Sequence, residues 1–442
     1  MSDKVYRRYL LGVLLVIYAF NGVDRLALGL LMQNIKADLH LSDTELGLLT
    51  GIAFALFYSL MGVPLARWAD SGNRKTLIAA TTALWSVAVA ASGLAANFIQ
   101  LLIIRVLVGV GEAGCVPPAH SLIADYFSRA ERPRAVSIYM LGTSLSGVIG
   151  YFLAGWLNQF YGWRTTFILL GLPGVGLAAL AWFTLREPRS QSFTASRVGL
   201  TTGPGLAEVC GTLWANTTFR HLLLCYSVMS FFGAGIGQWQ PTYIVRSFHL
   251  ASGDLGIWFA AVYSVSGILG IYLGGELASR RAANNERLQL TVMGIACAVC
   301  TGISVLTYLA PNHYVAFAMI GLTAIGGAAV LGPLFATIQT LVPERMRATA
   351  IALIYLFANL IGVGLGPLAA GALSDALHPH FGEESLRYSL LVLSMGYLWG
   401  AWHLWRARIV VAEDLARSQS VPKAASRDDP PPFYIEQQGI GK

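Results

Sequence analysis

Twelve stretches of about 20 predominantly apolar residues run along this 442-residue chain, each long enough to cross the hydrocarbon core of a bilayer as a helix. They lie near residues 9–32, 46–65, 76–94, 98–120, 135–157, 165–185, 221–245, 255–277, 288–309, 314–340, 349–373 and 389–405. Only 12% of the residues are charged, about half the share in soluble proteins, and 47 glycines fit helices that pack closely in lipid. A soluble enzyme, a disordered chain and a nucleic-acid binder are thereby excluded. The first span carries Asp24 and Arg25, which a cleavable signal peptide would not.

The net charge of +7 follows from topology. Twenty-four of the 30 Lys and Arg fall at the termini or in the even-numbered loops, while Lys36, Arg164, Arg246 and Arg387 fall opposite. The positive-inside bias predicts that both termini are cytoplasmic. A sequon at Asn216 then sits on a side where it is not glycosylated.

The chain repeats itself. Arg134-Ala-Val-Ser-Ile138 matches Arg347-Ala-Thr-Ala-Ile351 at a shift of 213, and Ala66 to Ser71 matches Gly275 to Arg280 at a shift of 209. Two six-helix halves are expected, residues 1–185 and 221–408, with substrate held between them near the midplane. Residues 186–220 read as a cytoplasmic linker with a short interfacial helix at 205–214, and residues 409–442 as a disordered tail.

Four charges lie inside spans 1 and 4: Asp24, Arg25, Arg105 and Glu112. Unpaired, they would cost roughly 3 kcal/mol each on insertion scales, about 12 kcal/mol together. They sum to zero. At 1.5 Å per residue, Arg105, Asp24 and Glu112 lie about 10, 14 and 21 Å deep, so one cluster can hold all four. A purely structural pin would be as stable built from apolar residues, which favours a functional role. A buried carboxylate whose partner moves away gives up its charge by taking a proton. Asp24 and Glu112 are therefore read as proton sites. Arg25 and Arg105, the latter foremost, are read as contacts for an anionic head group, since the guanidinium fork binds phosphate or carboxylate bidentately.

The second half has no comparable charges. Spans 7 and 8 carry Trp239, Gln238 and Tyr263 among other aromatic and amide residues, and span 11 carries Tyr355 and Asn359; these are candidate contacts for the rest of the substrate. Gly233, Gly235, Gly237 and Pro241 predict a bend in span 7. Asp70, Arg74, Lys75 and Arg134, in the basic loops, are candidate gate residues. Cys297-x-x-Cys300 reads as packing, because its neighbours in sequence supply no other soft ligands. Gly109-x-Gly111-x-x-Gly114 has no strand before it and reads as close helix packing, not a dinucleotide site. No metalloprotease, hydrolase or ATP-binding signature is present, so neither an enzyme nor an ATP-driven pump is expected.

Ala66-x-x-Ala-Asp-Ser-x-Asn-Arg-Lys75 and Arg105-x-x-x-Gly-x-Gly-Glu-Ala113 resemble signatures of the major facilitator superfamily. Asn21-x-x-Asp24-Arg25, Ser121-Leu-Ile-Ala-Asp125 and Arg186-Glu-Pro188 are similar to its Spinster branch. The resemblance implies an all-α, twelve-helix, two-half fold and a proton-coupled secondary transporter of an amphipathic, sphingolipid- or lysophospholipid-like substrate. Asn21 joins the site by the same motif. The expected driving force is the proton gradient with no cofactor. The expected partners are substrate, protons and the bilayer of a bacterial inner membrane, around a monomer. A drug or organic-anion exporter and a non-transporting membrane receptor are the alternatives.

Overall fold

The computed structural model describes residues 3–128, 130–188, 206–282, 285–343 and 346–420; the side chains of Asp70, Ser71, Pro133, Leu206, Ala207, Arg281, Ala348, Ser418, Gln419 and Ser420 lie outside that description. Every regular element among the described residues is helical. Ten helical stretches are long and apolar enough to span a membrane. Two of them hold two crossings each. Arg132–Thr184 reverses at Gly162, whose φ of +73° suits only a residue without a Cβ, and Thr349–Arg417 turns at the short 3-10 segment Gly382–Glu384. Twelve crossings result.

The polar residues that open each span explain where it begins. Asn73, Asn97, Asn216, Asn285 and Asn312 each accept a hydrogen bond from the backbone three residues on, at the starts of spans 3, 4, 7, 9 and 10. Ser42 and Glu45 form a capping box before span 2. The sequon residue Asn216 thus has a structural use. The internal repeat recurs in the backbone: spans 1 and 7 both end on a left-handed histidine, His40 (φ 54°) and His249 (φ 51°), again 209 residues apart.

Three spans of the first half are interrupted. Span 1 is Asp3–Asn21 and Val23–Leu39 with a break at Gly22, where a Cβ would sit 2.8 Å from Ser146 Oγ. Span 2 is Asp43–Thr50 and Ile52–Ser71, and span 4 is Phe98–Ala113 and Val116–Tyr126. No break interrupts span 7: Thr217–Phe248 is one continuous helix with Pro241 inside it. In the second half, span 11 contains a π-helix, Ala358–Leu365, and span 12 is broken at Met395–Gly396 between Ser385–Ser394 and Tyr397–Ser420. The supposed tail also differs. Span 12 runs as the helix Tyr397–Ser420, because Asp414 turns back to accept hydrogen bonds from Thr218 N (2.8 Å) and Thr218 Oγ1 (2.7 Å) at the start of span 7. Residues 421–442 lie outside the described residues. The linker helix is Leu206–Ala215; Val209 and Leu213 join the apolar core of the second half.

The cores show how the halves meet. At the end of the molecule away from the termini, one apolar cluster includes Leu31, Leu46 and Tyr151 of the first half and Trp239, Ile244 and Phe259 of the second. At the terminal end the cores of the halves are separate, the first half's around Tyr6, Leu14 and Tyr139 with a small cluster at Leu65 and Leu77, the second half's around Phe219, Leu290 and Leu404. The halves are joined at one end and independent at the other. Outward faces carry exposed Val63, Ile103, Leu172, Phe183 and Ile271, a surface suited to lipid.

Candidate functional site

The break at Gly22 leaves Asn21 at the end of the first helix and sets Asp24 and Arg25 on the first turn of the next. Arg105 Nη1 donates to Asp24 Oδ2 at 2.7 Å, and its Nε reaches Leu49 O at 3.4 Å. Arg25 Nε lies 3.4 Å from Glu112 Oε2. The four intramembrane charges thus form two neighbouring pairs, and the Asp24 and Glu112 carboxyls are close enough to interact. Neither Glu112 oxygen makes a hydrogen bond, nor do Asp24 Oδ1 and Asn21 Nδ2, among the described residues.

Burial is uneven. The side chains of Glu112, Asp24 and Arg105 are 0%, 2% and 4% exposed, but that of Arg25 is 39% exposed. Arg105, expected to be the foremost head-group contact, is enclosed by Asp24 and the span 2 backbone. Arg25 is the accessible cation. Both guanidinium groups lie near the ring of Phe54 in span 2, with Arg25 Cζ 5.3 Å and Arg105 Cζ 5.4 Å from its centroid. Sequence reasoning placed the cluster between spans 1 and 4 and missed this ring, since a phenylalanine in an apolar run carries no signal of its own.

Facing this cluster, Gln238 of span 7 donates weakly to Arg25 O (Nε2 to O, 3.4 Å). Tyr263 OH donates to Gln240 and its ring stacks on Tyr151, with centroids 5.8 Å apart. Tyr355 is 46% exposed and stacks on Phe335, and Asn359 opens the π-helix of span 11. Trp239 is not a cavity residue. It is fully buried with its Nε1 donating to Pro367 O at 2.9 Å, which makes it part of the core.

The gate expected in the basic loops is not between the halves here. Arg74 is fully enclosed within the first half, bonded to Glu187, Asp125 and Ser121. Lys75 sits 6.0 Å from the Trp182 ring centroid, Arg134 is exposed, and the Asp70 side chain lies outside the described residues.

The contacts joining the halves lie at the opposite end. Arg246 of span 7 grips Asp43 with both terminal nitrogens, Nη1 to Oδ2 at 2.8 Å and Nη2 to Oδ1 at 2.7 Å. Lys36 Nζ (2.6 Å) and Ser374 Oγ (2.7 Å) donate to the same carboxylate, and Gln33 accepts from Arg246 Nε at 2.8 Å. Asp375 of span 11 accepts from Asp43 N (3.1 Å), Thr44 N (2.7 Å) and Thr44 Oγ1 (2.6 Å), capping span 2 from the other half. Glycines allow the approach: a Cβ on Gly155 would lie 2.3 Å from Ser252 O, and one on Gly51 would lie 2.3 Å from Gly364 O. Further toward the terminal end, a Cβ on Gly147 would meet only Ser264 Oγ, at 4.0 Å. The sequence hinted at this lock only through Lys36 and Arg246, two of the few basic residues on their side.

Among the described residues, no three His, Cys, Asp or Glu side chains gather as a metal cage.

The family model of the Major Facilitator Superfamily matches residues 14–367. An MFS-type efflux pump of Mycolicibacterium smegmatis is 30% identical over 409 residues, covering 91% of this chain and 93% of that protein. Protein spinster homolog 1 of Xenopus tropicalis is 27% identical over 452 residues, covering 94% and 83%. A crystal structure of a bacterial homolog to the human lysosomal transporter Spinster, inward-facing and unoccupied, superposes with a TM-score of 0.84 at 30% identity, covering 93% of this chain and 99% of that one. The chain belongs to the Major Facilitator Superfamily of membrane transporters and is homologous to its Spinster proteins.

Proposed function

We propose that this protein is a proton-coupled secondary transporter of an amphipathic, anionic, lipid-like substrate working by alternating access. Asp24 and Glu112 are its proton sites and Arg25 its head-group contact. The observation that carries the reading is the unequal burial of one ion pair: Glu112 is fully enclosed while its partner Arg25 reaches open space. Protonating Glu112 removes the only charge among the described residues within ion-pair distance of Arg25, and the guanidinium fork is then available to a phosphate or carboxylate. Losing that proton returns Arg25 to Glu112 and releases the anion. Asp24 and Arg105, both buried, carry the same logic one layer deeper. The uncharged surface of Gln238, Tyr263, Tyr355 and Asn359 suits the rest of an amphipathic molecule.

With both termini in the cytoplasm of a bacterial cell, the end locked by Asp43 and Arg246 is the outer one, and the conformation is inward-facing. The chain acts as a monomer in this reading, because each half finds its partner within the same chain.

The test is flux in proteoliposomes under an imposed pH gradient. Asp24→Asn and Glu112→Gln should each abolish the proton dependence; if both leave it intact, the switch is wrong. A second reading, an exporter of drugs or organic anions, is favoured by the cluster having one accessible cation among the described residues, Arg25, which needs no long tail on its ligand. Competition of a long-chain lysolipid against a short-chain organic anion separates the two, and absence of any flux over empty liposomes favours a receptor.

A further inference from the structure

Cys297 and Cys300 are three apart in span 9, yet the fold sends them in different directions. Cys300 Sγ turns toward Thr323 O of span 10, at 4.0 Å. Cys297 Sγ points at span 7, 3.7 Å from Met229 Sδ. Cys225, one helical turn before Met229, brings its own Sγ to 3.7 Å from the same thioether. The three sulfurs therefore converge from two helices around Met229. Span 12 backs them closely, since a Cβ on Gly400 would lie 2.9 Å from Met229 Cγ and 4.0 Å from Cys225 Sγ.

We propose that Cys225, Cys297 and Met229 form a binding site for a soft monovalent cation of the copper(I) or silver(I) class. Sulfurs bound at about 2.3 Å in a trigonal plane stand about 4.0 Å apart, so the two cysteine-to-methionine spacings of 3.7 Å need an outward shift of only a few tenths of an ångström. Two thiols and a thioether are the donors that select copper(I) over hard cations. Zinc is disfavoured, because it takes four nitrogen, sulfur or carboxylate ligands and a thioether is not among them. The surroundings point the same way. Cys225 and Cys297 are 0% and 2% exposed within an apolar core of Leu222, Met293 and Leu404, where net charge is costly. One thiol proton leaves to bulk water as one monovalent ion enters, so the site stays neutral. Met229, half-buried, is the least enclosed of the three. A bound ion would staple span 7 to span 9 inside the second half.

The experiment uses the full chain in detergent with silver nitrate, in a Cys210→Ser background that removes the exposed thiol. The expected result is one silver ion retained per protein after desalting, one proton released, and three sulfur neighbours by X-ray absorption. Cys225→Ser and Cys297→Ser should each reduce retention at least tenfold. Met229→Leu, which conserves volume and should keep the melting temperature of the metal-free protein, should weaken binding about tenfold and leave two sulfurs. No retained ion, retention that survives either cysteine change, or binding by Met229→Leu equal to that of its parent overturns the proposal.

Discussion

Arg246 and Asp43 meet as a two-pronged ion pair across the two halves, both side chains at 4% exposure or less, and the rest of the closure at the end away from the termini is arranged around them. Four donors converge on one carboxylate from spans 1, 7 and 11. This lock must break whenever the transporter opens at that end, so its partners set the balance between the two open states.

Removing one member of a buried pair leaves the other uncompensated, at a cost of about 3–5 kcal/mol to the state that buries it. Arg246→Ala and Asp43→Asn should each shift the population toward outer opening. Arg246→Lys should shift it less, since a point charge replaces part of the fork. Spin-label distances across the outer loops check this, and a distribution unchanged from the parent contradicts it.

Close glycine contacts hold spans 5 and 8 together at the same end. Gly155→Val would drive a side chain into Ser252 O and Gly256. Overpacking of this kind costs typically 1–3 kcal/mol, here charged to the closed outer end alone. The expected outcome is increased labelling of a cysteine placed in the outer cavity, with little change in expression.

The helix past residue 409 is structural. Asp414→Ala removes the acceptor for Thr218 N and Oγ1 at the start of span 7. Loss of a cap of this type costs about 1 kcal/mol. A lower melting temperature with unaltered substrate affinity is the expected pair of results, and a melting temperature equal to the parent's counts against it.

At the terminal end, Glu131 accepts from the Ser128 hydroxyl and backbone and from Arg7, which holds its carboxyl down at about 2, below its usual 4.5. Its folded pKa is depressed, so the contact contributes fully above pH 4.5 and is lost as pH falls toward 2. A spin label at position 4 should keep constant mobility from pH 8 to 5 and loosen only below that. A transition near neutral pH would show that another group controls the first helix.

Much was legible because lipid imposes harsh rules. Backbone amides must be satisfied within helices, so runs of about 20 apolar residues translate directly into crossings. Charges inside those runs are costly enough that Asp24, Arg25, Arg105 and Glu112 announce themselves, and helix geometry alone brought their depths together. What the sequence by itself determined was the twelve crossings, the two repeated halves and the membership of the charge cluster. Pairing and exposure depended on side-chain direction. Only the tertiary structure decided that Arg25 is the accessible cation, that Phe54 lies beside both guanidinium groups and that Trp239 is core. It alone decided that Asp43 and Asp375 of different halves meet Arg246 and Thr44, and that Cys225 and Cys297 both reach Met229. Such contacts join residues up to 332 positions apart, and no periodicity along a chain encodes which face of one helix will meet which face of another.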